Sequence, residues 1–430
     1  MSYRFFSNSL FNFIFCLIFY SFGTFGFFNL FGIRLHLQIF ILSLIVIYII
    51  VVKFDSNYNL HQRVFIFASL LGIGGFIYGS RLTAPVEGFI IFFIIIGILS
   101  SDKSNIILFS KTIVLFTFIF SLMISISWFY FYFKPETVNL VNIHIYDSTT
   151  GTSQIYPHFF TDWLSFTSGD GFVFLGQTIP RFKGYSNEPS ATLVHYLAPS
   201  IIGLLLGGKY KLISFFLIFV NVAFIGSFTS QIVILFSVIL FLLLVLYKKT
   251  RRIMTLSLFL FSAILLFTPI QFDSIIKMTS DLAVQNLNFD MISRKINPNK
   301  FTGVSNLEYR AMGISAGLKN ILYYPLGYSS SRLGTGPGLI YTLSSKTGWI
   351  GLFIFINFMF RFFKNIYKVY ISQHSLFFNY AIAMILSLLF VSFFINGYGW
   401  DRPPGFIIIF VLIKLVSILN GKINSKLKYV

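Results

Sequence analysis

Charge is scarce in this chain. Only 10% of its 430 residues are Asp, Glu, Lys or Arg, against about 25% in soluble domains. Apolar residues make up 56%, more surface than a water-soluble fold of this length could hide. That excludes a soluble enzyme or binding module. It implies an all-α polytopic membrane protein whose length counts crossings rather than domains. Cysteine is nearly absent: Cys16 stands alone in the first apolar run, so neither an intramolecular disulfide nor a cysteine-based metal site can form. Phosphate-binding loops, dinucleotide fingerprints and zinc spacings such as His-Glu-x-x-His are missing. Any chemistry is therefore expected to use loop residues, with no nucleotide and no nucleic-acid partner. At mid-membrane the apolar runs also lack the buried carboxylates and lysines of ion-coupled transporters. His195 and Lys414 are the exceptions, each expected near a helix end.

What is present is a series of apolar runs of spanning length, near 10–30, 35–52, 64–80, 84–100, 106–133, 191–207, 211–226, 229–247, 253–270, 347–363, 376–396 and 404–420. They predict about 12 transmembrane helices. The first run has no small-residue cleavage site after it and reads as a membrane anchor rather than a removable signal. The runs at 211–226 and 229–247 need a tight hairpin, helped by Gly226. With the N-terminus inside, the inside loops carry Lys53, Arg63, Lys103, Lys111, Lys209, Lys211 and the cluster 248–252. Arg361, Lys364, Lys368, Lys422, Lys426 and Lys428 continue the series. The bias predicts N-in and C-in, with two long external loops. The organisation is then 1–133, a transmembrane block of about five helices; 134–190, an external loop; 191–270, about four helices; 271–346, a second external loop; and 347–430, about three helices and a tail.

The polar end of the first loop, 181–190, packs Arg181, Lys183, Gly184, Glu188, Pro189 and three small polar residues into ten positions just before a helix re-enters the bilayer. The second loop carries Arg310 and Arg332. Arg310 opens an amphipathic stretch from Tyr309 to Tyr323, with Met312, Ile314, Leu318 and Leu322 at near-helical spacing, and Pro325 stops it. Gly334 to Gly338 is glycine-rich but reads as a turn, having no strand–helix context. Each candidate has a plain alternative. The arginines could be snorkelling interfacial cations, and Lys183 and Arg332 solvated charges. Glu188 could be a carboxylate favoured at a helix N-terminus, and His195 a helix-facing polar residue. Trp163, Tyr156, Tyr185 and Tyr328 read as an interfacial aromatic belt rather than sugar platforms.

The combination Arg-x-x-Gly-x-x-x-Glu-Pro-Ser at 181–190, Arg310 before Pro325-Leu-Gly327, and Thr347-Gly-Trp-Ile-Gly351 at a late span resembles the O-antigen polymerase and O-antigen ligase superfamily. The resemblance implies action on undecaprenyl-diphosphate-linked oligosaccharides at the outer face of the bacterial inner membrane, without nucleotide or metal. It implies Arg181 and Arg310 as the catalytic pair. Lys183, Gly184, Glu188, His195 and Arg332 are then substrate-binding candidates. Besides membrane lipids, a chain-length regulator protein is an expected partner. The histidine typical of the ligases, eleven positions before the Gly348–Gly351 pair, is replaced here by Pro337. That favours a polymerase over a ligase. A flippase-like transporter, the rival of another class, is expected to show charged spans and repeat symmetry.

Overall fold

The computed structural model describes residues 2–21, 40–46, 58–78, 84–133, 143–147, 152–156, 158–159, 161–174, 177–184, 193–225, 228–247, 306–328, 338–372, 375–395, 400 and 402–427. Its helices are α1 (Ser2–Ser21), α2 (40–46), α3 (Tyr58–Ile77), α4 (Ala84–Ser100), α5 (Lys103–Phe133), α6 (Ala198–Leu206), α7 (Tyr210–Val220), α8 (Phe228–Tyr247), α9 (Asn306–Tyr323), α10 (Leu339–Ser372), α11 (Leu376–Phe390) and α12 (Pro403–Leu427). Every apolar run read from the sequence carries helix, except 253–270, which lies outside the described residues. The hairpin turn at 226–227, Glu188, Arg332 and most of 271–346 lie outside them too.

The first long loop is not wholly irregular. It forms antiparallel strands β1 (Ile143–Asp147), β2 (Thr152–Tyr156), β3 (His158–Phe159), β4 (Thr161–Phe174) and β5 (Gln177–Gly184). β1 pairs with β2, and β3-β4-β5 form a second small sheet. The reading of the chain as purely helical misses these strands. They are rich in Ile, Val, Thr, Tyr and Phe, residues that suit a pleated surface.

Four helices among the described residues are long and apolar enough to cross a membrane: Lys103–Phe129, Leu339–Ser372, Leu376–Ile395 and Pro403–Gly421. The distribution of side chains agrees. On α5, Leu108, Leu115, Ile119, Leu122, Ile126 and Phe129 are exposed at helical spacing, while Ser110, Thr117, Ser121, Ser125 and Ser127 are buried. Apolar residues outward and hydroxyls inward is the reverse of a soluble helix. In a dry environment each hydroxyl needs a partner. Ser125 Oγ donates to the Ser121 carbonyl at 2.8 Å and Ser127 Oγ to Met123 at 2.8 Å, and on α7 Ser214 Oγ donates to Tyr210 at 2.7 Å; the Ser110 and Ser121 hydroxyls have no partner among the described residues. The chain is a helical membrane protein.

Ring contacts fix which helix ends lie together. Phe241 meets Tyr380 at 5.8 Å and Phe236 meets Phe390 at 6.0 Å, so α8 and α11 are antiparallel. The Tyr370 hydroxyl donates to the Leu244 carbonyl, which makes α10 parallel to α8. Phe11 and Phe15 meet Phe109 at 6.1 and 5.6 Å, and the Tyr20 hydroxyl donates to Ile113 at 3.2 Å, so α1 and α5 are parallel. Close backbone approach joins α3 to α4: a Cβ on Gly88 would lie 2.7 Å from the Ala68 carbonyl oxygen and 2.9 Å from Gly72 Cα. Small residues let membrane helices touch in this way. One end of the bundle bears β5; the other bears Arg63, Lys103, Lys111, Lys209, Lys211, Arg361, Lys364 and Lys368. We call them the strand end and the basic end.

Candidate functional site

At the strand end, β5 packs on the last part of α5 and on a π-helical turn, Asn221–Ile225, that closes α7. β5 carries Arg181, Lys183 and Gly184. Arg181 pairs with Thr167, Phe182 with Phe166 and Gly184 with Ser165. The register therefore skips Lys183, the extra residue of a β-bulge. Such bulges bend a strand and re-aim its neighbours, and they recur beside active sites.

His195 sits on another π-helical turn, Leu193–Leu197, which leads into α6. It is only 4% exposed. Phe19 of α1 lies edge-on to its ring at 5.4 Å, and the turn packs against α5, α7, α8 and α12. The structure thus places His195 in the helix bundle, at the strand end, as the sequence led us to expect of a polar residue near a helix end. Lys414 reaches the opposite end, donating to the Leu99 carbonyl at the close of α4.

Arg310 lies in the second turn of α9, which spans Asn306–Tyr323 as its apolar spacing predicts. Pro325 ends the helix region and the chain turns through Gly327, whose φ of 107° is left-handed. This turn docks on a break in α10. The Tyr328 amide donates to the Ser345 carbonyl at 2.9 Å, and the Trp349 amide donates to the Pro325 carbonyl at 2.8 Å. Between them Gly348 takes φ 59° and ψ −160°, splitting α10 into two helices. A Cβ there would fall on the Pro325 carbonyl oxygen and lie 2.7 Å from the Leu326 carbonyl carbon. The Trp349 indole N–H donates to the Ile321 carbonyl on α9, which fixes the angle of that helix. Gly74 of α3 backs the break, touching it so closely that a Cβ would sit on the Lys346 carbonyl.

The sequence motifs Pro325-Leu-Gly327 and Thr347-Gly-Trp349 are therefore one structure, a backbone clamp. The span read at 347–363 does not begin at Thr347, as hydropathy suggests; its helix starts at Leu339 and breaks at Gly348. Tyr328 is not on an exposed aromatic belt. It is 3% exposed, wedged under the clamp. Burial raises its phenol above the ordinary value, with the Ser344 hydroxyl partly offsetting this.

The helix carrying Arg310 packs on α10 and on a third π-helical turn, Val391–Ile395, that closes α11. The strand carrying Arg181 packs on the turn at 221–225. α8 contacts all three π-helical turns with its strand-end start. Both arginine-bearing elements thus stand at the same end of the bundle, on different helices. π-turns are uncommon and tend to occur at functional sites. Asn221 opens one of them, fully buried, with neither amide atom hydrogen-bonded among the described residues. Sequence reading missed it; a lone uncharged Asn does not disturb the hydropathy of a run. Among the described residues no group of three or more His, Cys, Asp or Glu could hold a metal ion. Comparison with family models, with curated proteins and with solved structures finds no match.

Proposed function

We propose that the chain is a glycan polymerase that joins repeat units at the strand end, on the outer face of a bacterial inner membrane. The reading takes the basic end as cytoplasmic, in keeping with the excess of lysine and arginine at helix ends there. A growing chain on its lipid diphosphate is the donor, and a lipid-linked repeat is the acceptor. The observation that carries the reading is that the Arg181 strand and the Arg310 helix share one end of the bundle, the second held by the Pro325–Gly348 clamp.

In the reaction the bond between the anomeric carbon and a phosphate oxygen breaks, and its electron pair leaves with the diphosphate. The acceptor hydroxyl oxygen bonds to the anomeric carbon and gives up its proton. Negative charge grows on the departing diphosphate while the sugar becomes cation-like. A guanidinium holds phosphate oxygens two at a time and keeps its charge at any working pH. Removing one such group costs about 3 kcal/mol of transition-state stabilisation, on the order of a hundredfold in rate.

The test is the surface-glycan profile of a deletion strain complemented with wild type, Arg181→Ala or Arg310→Ala. A single capped repeat in place of a ladder supports the polymerase. Bare core with long polymer stranded on the carrier lipid replaces it with a ligase. Bare core with single repeats held on the inner leaflet replaces it with a flippase.

A further inference from the structure

The basic end holds a cluster that glycosyl transfer at the strand end does not use. Two ammonium groups lie beside one aromatic ring and a third lies beside another. Lys209 Nζ lies 5.8 Å and Lys111 Nζ 6.0 Å from the centroid of Tyr210. Lys211 Nζ lies 4.8 Å from the centroid of Phe377, at the start of α11. Lys111 is on α5, Lys209 caps the start of α7 and Lys211 is its second residue. Among the described residues no carboxylate forms an ion pair with any of the three. Rings attract each ammonium, but two cations sharing one ring repel each other. An anion between them would relieve that repulsion.

The surroundings say which anion. The turn is built on Gly207 and Gly208, with φ 76° and 55°, and beside Gly208 there is open space, nothing lying within 4 Å of where a Cβ would be. Directly along α7 from the lysines, Leu212, Phe215 and Phe219 form an exposed apolar stripe. Phe215 meets Phe377 edge-on at 6.3 Å, so the stripe continues onto α11. Leu212 is 77% and Phe377 51% exposed. A bare phosphate would use the lysines and leave this stripe empty; a phospholipid uses both.

We propose that the α6–α7 turn, with Lys111 and the start of α11, is a binding site for one anionic phospholipid of the leaflet at the basic end. Its phosphate sits among Lys111, Lys209 and Lys211, and an acyl chain lies along Leu212 and Phe215. The site is independent of the glycan chemistry proposed above.

The experiment uses the full chain purified in an uncharged detergent and titrated with three probes while its melting temperature is followed. These are short-chain phosphatidylglycerol, short-chain phosphatidylcholine and glycerol phosphate. Phosphatidylglycerol raises the melting temperature saturably, and the other two do not. Lys111→Gln, Lys209→Gln and Lys211→Gln, each made singly, weaken its binding about fivefold apiece. Lys364→Gln, an exposed cation at the same end on α10, leaves it unchanged. Equal stabilisation by phosphatidylcholine overturns the proposal in favour of an apolar groove. Equal stabilisation by glycerol phosphate overturns it in favour of a free-anion site. Equal weakening by Lys364→Gln overturns it in favour of diffuse surface charge.

Discussion

Gly348→Ala is the substitution on which the clamp reasoning stands or falls. At φ 59° and ψ −160° the native backbone occupies a region open essentially to glycine, and holding alanine there costs about 1–3 kcal/mol. The new methyl also meets backbone, the Pro325 carbonyl oxygen and the Leu326 carbonyl carbon, rather than a side chain that could swing aside. The turn must then back away from α10, which breaks the bonds from Trp349 to Pro325 and from Tyr328 to Ser345. At about 0.5–1.5 kcal/mol each, these bring the total to about 2–6 kcal/mol. The measurement is thermal unfolding of the detergent-purified chain, where a drop of about 2–7 °C is expected for a chain of 430 residues. Gly208→Ala is the control, because Gly208 also has a positive φ, 55°, but open space around it. It isolates the conformational cost, about 1–2 kcal/mol. A Gly348→Ala protein that melts within a degree of wild type, or no lower than Gly208→Ala, would refute the argument. A lowered melting point with an unaltered glycan ladder would confine the clamp to structure and remove it from the proposed site.

Further expectations follow from the same geometry. Gly74→Ala puts a methyl on the Lys346 carbonyl and should sharply reduce the folded yield, read by size-exclusion profile. Trp349→Phe keeps an aromatic ring but loses the hydrogen bond to Ile321, a destabilisation of about 1 kcal/mol visible as a small melting shift at normal expression. Arg181→Lys keeps charge but loses the planar fork; the glycan ladder should shorten strongly with expression unchanged, and wild-type-length polymer would sink the diphosphate role. Asp281, in the second long loop read from the sequence and outside the described residues, has no part in the proposed site; Asp281→Asn should leave the ladder nearly intact, and a severe loss would mean the site lies elsewhere.

The positions of the membrane helices could be read from the sequence because hydropathy over a spanning length is a strong, local signal. The α9 helix was equally legible, since Met312, Ile314, Leu318 and Leu322 set its face and Pro325 its end. The break in α10 was not. Window averages run smoothly through Gly348, and only the approach of the distant Pro325 turn makes that glycine special. The strands of 143–184 were passed over because a long polar loop masks short alternations such as Ile143-His-Ile145. Lys111 and Tyr210 are far apart in the chain, so no reading of spacing brings them together. For the candidate site, the sequence named Arg181, Lys183 and Arg310, but not the bulge at Lys183 or the buried Asn221, which depend on pairing and packing.

The π-helical turns at 193–197, 221–225 and 391–395 bear on how the chain tolerates changes of length. A π-turn accommodates one residue more than the α-helix around it, and one residue turns a helix by about 100°. Deleting a single residue from 221–225 should therefore leave α7 a continuous helix ending at the same height. It would, however, move the residues that follow the deletion around the helix axis. In these three places a one-residue deletion is expected to act like a rotation of a dial rather than a cut. Elsewhere in the same helices it should disrupt the packing of everything that follows.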